Sequence, residues 1–347
     1  MEALQSTLTQ KKYHYYTDFI RVFSIIMVIT LHCINDYYNN ISNIGKKLWV
    51  VLSFTNELCR TGVPLFFMVS GFLLLSSDIS DIKTFYKRRF MKIGIPFLLY
   101  DIFYYLFFSY INKTEISIVT FFKELTNCGS SYHLWFIYSI LFLYLLIPFA
   151  KIIIDACSPK KIMLLFILAI FQTTIRPFIN TISNGYIYIF LTDDAMFGYF
   201  GYMLLGYILG TYKIKPLTEY LIYIIGIIFF ITTPIFSMHN ATVNGSYLFH
   251  GGYSINHYAE AAAIFVLCKN KRNNACKLVP KVSSLTFAAY FIHVFILEIL
   301  KIMQYDTTPS VQIAIYMVLT IPLSFFWAII EKKLFKNPLK VSVNHSS

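Results

Sequence analysis

The sequence predicts an all-α integral membrane protein, a bundle of about ten transmembrane helices with both termini cytoplasmic. Three observations carry this reading. First, the 347 residues are 57% hydrophobic and only 13% charged, with a mean hydropathy of +0.61, whereas a soluble domain carries about 25% charged residues. Second, ten apolar stretches, most near the roughly 20 residues a helix needs to cross a bilayer, recur along the chain. Third, with the N-terminus inside, 21 of the 29 basic residues fall in cytoplasmic segments and six outside, while Arg21 and Arg60 lie within spans. This is the positive-inside bias. The expected organisation is a cytoplasmic segment 1–15, one membrane domain 16–331 and a basic cytoplasmic tail 332–347. The formal charge of +12 does not point to nucleic acid, because the basic residues sit in short loops between spans. An aromatic share of 18% suits a chain with many membrane interfaces. Six cysteines are scattered singly, with no metal spacing, and no metal is expected. No cleavable signal is expected either, since the first fifteen residues are polar and no small-residue cleavage pattern follows the first span.

The spans are placed near 16–34, 47–75, 93–110, 132–150, 162–180, 196–212, 217–236, 252–268, 282–303 and 310–330. Span one reads DFIRVFSIIMVITLH over Asp18 to His32. Eleven helical steps of about 100° bring Arg21 and His32 to within roughly 20° of one face, about 16 Å apart along the axis. Ionisable groups at membrane depth are costly and mark sites. Read singly, Arg21 is also a snorkelling arginine paired with Asp18 at i,i+3, and His32 an interfacial histidine. Span two is too long for a straight crossing and holds Gly62 and Pro64, so a bend or break is expected. Its Glu57 and Arg60 form either a structural ion pair or part of a site.

The segment before span three, FYKRRFMKIGIPF, concentrates Lys87, Arg88, Arg89 and Lys92 at the boundary. Such clusters set topology and meet anionic lipid; guanidinium groups also suit the phosphates of a cytoplasmic cofactor. Span four opens on Tyr132 and Trp135, ordinary interfacial anchors, with His133 between them at a depth comparable to His32. Span eight is short and carries Glu260, a hydrogen-bonded structural glutamate or a site carboxylate. Span nine places Ser284, Thr286, Tyr290, His293 and Glu298 in an apolar helix, where polar groups turn to the bundle interior.

Taken in order, several stretches resemble the acyltransferase-3 family of bacterial membrane O-acyltransferases, in the form that acts on surface polysaccharides. They are the Arg21-x10-His32 spacing, DFIR at 18–21, VPLFFMVSGFLL at 63–74, KRRFMKIGIP at 87–96, HLWF with Tyr144 and Pro148, and SLTFAAYFIH up to His293. The resemblance implies transfer of an acetyl or other acyl group from cytoplasmic acetyl-CoA to a hydroxyl of a cell-surface glycan or its lipid-linked precursor. The enzyme would be a multi-pass protein of the bacterial plasma (inner) membrane. It further implies His32 as the catalytic histidine with Arg21 as its partner, and Arg89 and Lys92 where the family tends to show an R-x-x-R pair. Lys92 departs from that pattern: it keeps the charge and loses the bidentate fork, and Arg88 stands ready to substitute. Asp18, Glu57, Arg60, His133, Trp135, Glu260, Tyr290 and His293 are candidate acceptor-side or supporting residues.

The chemistry fits that implication. A sugar hydroxyl needs a general base, and histidine is the usual one near neutral pH. A thioester carbonyl under attack needs a cation or fixed donor for its developing charge. The competing class is a transporter or flippase of a glycan precursor, where intramembrane Arg, Glu and His are equally expected; a further alternative is an acyltransferase with a non-glycan acceptor.

Overall fold

The computed structural model describes residues 13–40, 44–171, 173, 194–244, 254–271 and 276–334. Among these residues the chain is helical, with no strand. In order the helices are α1 (Tyr15–Tyr38), α2 (Lys46–Arg60), α3 (Gly62–Leu75), α4 (Ile82–Arg89), a π-helical turn (Phe90–Gly94), α5 (Ile95–Asn112), α6 (Ile118–Thr126) and α7 (Trp135–Ala156). Then follow α8 (Pro159–Ile170), α9 (Asp194–Thr211), α10 (Pro216–Asn244), α11 (Ile255–Lys271), α12 (Leu278–Ser283), α13 (Thr286–Ile302) and α14 (Pro309–Leu334). Most of segment 1–15, most of tail 332–347 and the second half of the expected fifth span lie outside the described residues.

Among the described residues, six helical stretches are long and apolar enough to cross a membrane: Tyr15–Tyr38, Lys46–Leu75, Ile82–Asn112, Trp135–Ala156, Pro216–His239 and Pro309–Leu334. The other four expected spans coincide with α8, α9, α11 and α13, helices of 12, 18, 17 and 17 residues. The protein is turned inside out relative to a soluble one. Leu99 and Phe103 on α5, Phe149 on α7, Ile228 on α10 and Phe326 on α14 face outward, whereas Asp18, Glu57, Asp101, Glu260, His133, His257 and His293 are buried. Apolar outside and polar inside is what a hydrocarbon solvent selects.

α1 is the axis of the bundle. It packs against α2, α3, α11, α12, α13 and α14, and Ile20, Ile25 and Ile29 are wholly buried. A helix apolar on nearly all sides finds neighbours on all sides. The long second crossing is interrupted at Thr61, between α2 and α3. Pro64 then falls in the first turn of α3, where a missing N–H is harmless. Gly62 lets α3 start against α1: a Cβ there would lie 2.9 Å from the Ser24 carbonyl oxygen. α3 and α9 approach closer still. A Cβ on Gly71 would fall 2.1 Å from the Met203 carbonyl oxygen, and one on Gly206 2.0 Å from that of Met68. Small residues admit this backbone contact, the usual device where lipid supplies no hydrophobic drive between helices.

The basic stretch before span three differs from the loop the sequence suggests. Lys87, Arg88 and Arg89 end α4, which runs through the π turn into α5 as one 31-residue helix. Asp81 caps it, accepting from the Thr84 backbone N–H at 3.0 Å. Another difference is α6, a nine-residue helix in the segment between the third and fourth crossings.

Candidate active site

Three histidines meet at one level, two on helices and one in the turn ahead of a third. His32, in the last third of α1, has its ring 5.2 Å from that of His293 on α13 and 5.1 Å from Tyr132. The His293 ring lies 5.1 Å from that of His133, just ahead of α7. The supporting contacts fix the rings. His293 Nδ1 is 2.5 Å from the Tyr290 carbonyl oxygen; a carbonyl only accepts, so Nδ1 carries the proton and Nε2 the lone pair of the neutral ring. His133 Nδ1 pairs with Ser131 Oγ at 2.9 Å, and the His133 carbonyl accepts from the Tyr290 hydroxyl. The Nε2 atoms of His133 and His293 are buried with no hydrogen-bond partner among the described residues. Tyr104, 5.0 Å from the His133 ring, donates to the Phe291 carbonyl at 2.6 Å and accepts from the Phe295 N–H at 3.1 Å, which ties α5 to α13 behind the cluster. His32 is the least enclosed of the three, half-buried where the other two are fully buried. The charges of Arg60 and Lys301 reach it.

The other end of α1 is cationic. Arg21 lies 3.5 Å from Asp18. Asp18 is buried and also accepts from Ser283 Oγ at 2.6 Å and from the Tyr13 hydroxyl, so it anchors the start of α1 to α12. Arg89 lays its guanidinium over the rings of Phe85 and Tyr144, at 5.2 and 5.3 Å, and its Nε is buried with no hydrogen-bond partner among the described residues. Lys92, in the π turn, feels the charges of both Arg21 and Arg89, while Arg88 points to the exterior. π turns inside α-helices often accompany functional sites. Here the π turn begins directly after Arg89 and contains Lys92.

The remaining candidates fall elsewhere. Arg60 Nε donates to Asn56 Oδ1 at 2.7 Å, and Glu57 accepts from Asn256 Nδ2 at 2.7 Å, with His257 Nε2 3.7 Å away. Glu260 joins Glu57 and His257 in a second buried cluster between α2 and α11. Trp135 stacks on Tyr199 at 5.5 Å, and Tyr199 on Phe67 at 4.6 Å, on the α3–α9 side. A surface concavity lined by Tyr110, Lys113, Thr114 and Ile302 includes none of these residues. Sequence reading missed Asn256 and His257. Their signal was NHYAE at 256–260, in which His257 and Glu260 stand at i,i+3, on one face of the helix.

A helical membrane protein that buries imidazoles near one end of its central helix and gathers guanidinium groups at the other belongs among membrane enzymes and carriers with a polar interior. Residues 14–329 match the family model of an acyltransferase domain, and the chain belongs to that family, acyltransferase-3. It is a membrane acyltransferase. No curated protein and no solved structure shows a match.

Proposed function

We propose that the protein transfers an acetyl group from cytoplasmic acetyl-CoA to a hydroxyl of a surface glycan or its lipid-linked precursor. In this reading ten helices cross the bacterial inner membrane, with both termini cytoplasmic. One observation carries the proposal: α1 holds Arg21 beside Arg89 and Lys92 at one end and His32 beside His293 and His133 at the other. That layout gives a phosphate-bearing acyl donor one mouth and a hydroxyl acceptor the opposite one. Phosphates of the donor meet Arg21, Arg88, Arg89 and Lys92, of which Arg89 is pre-oriented by its two aromatic rings. The donor's thioester arm reaches along α1, a path of about 16 Å.

His32 takes the proton from the acceptor hydroxyl as its oxygen attacks the thioester carbonyl. The C–S bond breaks, the ester C–O bond forms, and the proton held on His32 returns to the departing thiolate or to water. Arg60 and Lys301, whose charges reach His32, offset the negative charge that develops on the carbonyl oxygen. In this reading His32 acts directly as a base and does not itself carry the acyl group.

The test is purified protein in detergent with labelled acetyl-CoA and candidate glycans, read by mass spectrometry. Label should move to the glycan, and His32→Ala should reduce transfer by about 10²- to 10⁴-fold, the usual contribution of a general base. Unimpaired transfer by His32→Ala would sink the site assignment. Movement of glycan across vesicles without consumption of acetyl-CoA would replace the enzyme with a carrier.

A further inference from the structure

Glu57 and Glu260 are 3% and 4% exposed, and their carboxylates face each other across the α2–α11 contact. One donor atom from each, with one from His257, lies within 4.8 Å of the others. Both Glu260 oxygens and Asn256 Oδ1 are buried with no hydrogen-bond partner among the described residues. Two carboxylates in a dry interior do not both stay ionised without positive charge between them. A proton shared by the two glutamates, which lie within hydrogen-bonding reach of each other, or a cation seated among the three side chains would supply it.

Asn256 Nδ2 donates to Glu57 Oε1 at 2.7 Å. His257 Nδ1 meets Ser254 Oγ at 3.2 Å, while its Nε2 is turned toward Glu57 Oε1 at 3.7 Å. Such outer contacts characteristically orient the ligands of a metal: the far side of a histidine on a hydroxyl, and a carboxylate steadied by an amide. What converges inside them is carboxylate oxygen and imidazole nitrogen. Arg60, one turn on, sends its Nε to Asn56, and its charge also reaches Glu57.

We propose that Glu57, His257 and Glu260 form a binding site for a divalent transition cation, Zn²⁺ or Mn²⁺, buried between α2 and α11. Bonds of about 2.1 Å would set donor atoms roughly 3.4 Å apart in a tetrahedron, so rotamer-scale closure of the three side chains completes the site. The imidazole favours Zn²⁺ over Ca²⁺ or Mg²⁺, the two carboxylates also admit Mn²⁺, and Zn²⁺ should displace Mn²⁺. The site shares no residue with the histidine cluster at His32. Its place is structural: it clamps α2 to α11 immediately before the break at Thr61 and fixes the turn that carries Arg60.

The experiment uses the full chain, purified without a metal-affinity tag and analysed by plasma mass spectrometry. About one equivalent of Zn or Mn per chain is expected. Glu260→Gln and His257→Ala should each lose it, and His293→Ala should keep it. Because a substituted chain can fail to assemble, chelator-stripped wild-type protein is also titrated with Zn²⁺ and with Mn²⁺ by calorimetry, where one saturable site and a rise in melting temperature are expected. Wild-type protein with no bound metal and no saturable uptake of either ion overturns the proposal in favour of a proton shared by the two glutamates. Full metal retention by both Glu260→Gln and His257→Ala overturns it as well, by placing the metal elsewhere.

Discussion

His293 shows how one residue can serve a site without being its reactive group. Its Nδ1 is committed to the Tyr290 carbonyl, its ring lies between those of His32 and His133, and its Nε2 is buried with no hydrogen-bond partner among the described residues. His293→Ala should therefore lower kcat for acyl transfer, by about tenfold or more, and leave KM for the acyl donor unchanged, because the proposed donor mouth is at the other end of α1. Steady-state kinetics at varied donor concentration separates the two parameters. Arg89 should show the reverse pattern. Lysine in its place keeps the charge and loses the planar stack over Phe85 and Tyr144, so Arg89→Lys should raise KM for the donor several-fold at unchanged kcat. The sequence made Arg21 and His32 legible as a pair because both sit on one helix with a fixed period. It could name His133 and His293 one at a time and could not bring them together, since their meeting depends on which helices are neighbours. His257 was harder still: its i,i+3 spacing to Glu260 is the one mark it carries in the sequence.

At the scale of elements, the contact of α3 with α9 is the tightest constraint. Gly71 and Gly206 place each helix against the carbonyl oxygens of the other, at distances of 2.1 and 2.0 Å from where a Cβ would stand. Neither carbonyl can move without shifting its helix, so Gly71→Ala should destabilise the fold by about 1–3 kcal/mol, the usual cost of overpacking a filled interior. Thermal unfolding of the detergent-solubilised protein, followed by loss of monodispersity, measures it; a melting temperature equal to that of the unsubstituted protein would contradict the close approach. The break at Thr61 was foreseeable from Gly62 and Pro64. The π turn at Phe90–Gly94 was not: one additional residue per turn leaves composition and hydropathy unchanged, so the basic cluster read as a loop and in fact lies within one continuous helix that starts at Ile82.

For the whole molecule, the strongest internal check on topology is that contacts join ends that the loop charges assign to the same side. On the side read as cytoplasmic, Asp18 meets Ser283, Ser76 meets Thr211, Lys269 meets the carbonyl oxygens of Leu209 and Tyr212, and Lys332 meets Ser284. On the side read as external, Lys301 binds Asp36 at 2.7 Å and Tyr37 donates to Gln312 at 2.6 Å. Shared ends do not say which end is inside; that rests on the basic residues alone. Two native cysteines decide it. Cys128, between α6 and α7, and Cys276, before α12, are both exposed, and the proposed topology puts the first outside and the second in the cytoplasm. Cys33, Cys59 and Cys268 are buried and should stay silent. A membrane-impermeant maleimide applied to intact cells, with any outer membrane permeabilised, should label Cys128 and spare Cys276, whereas inside-out vesicles should reverse the pattern. Cys128→Ser should remove the signal from cells; because Cys157 is half-buried on the cytoplasmic side, Cys276→Ser together with Cys157→Ser should remove the signal from vesicles. Labelling of Cys276 in intact cells would invert the bundle, carry Arg21, Arg89 and Lys92 to the outer face, and remove the physical reason for a cytoplasmic CoA thioester as the donor.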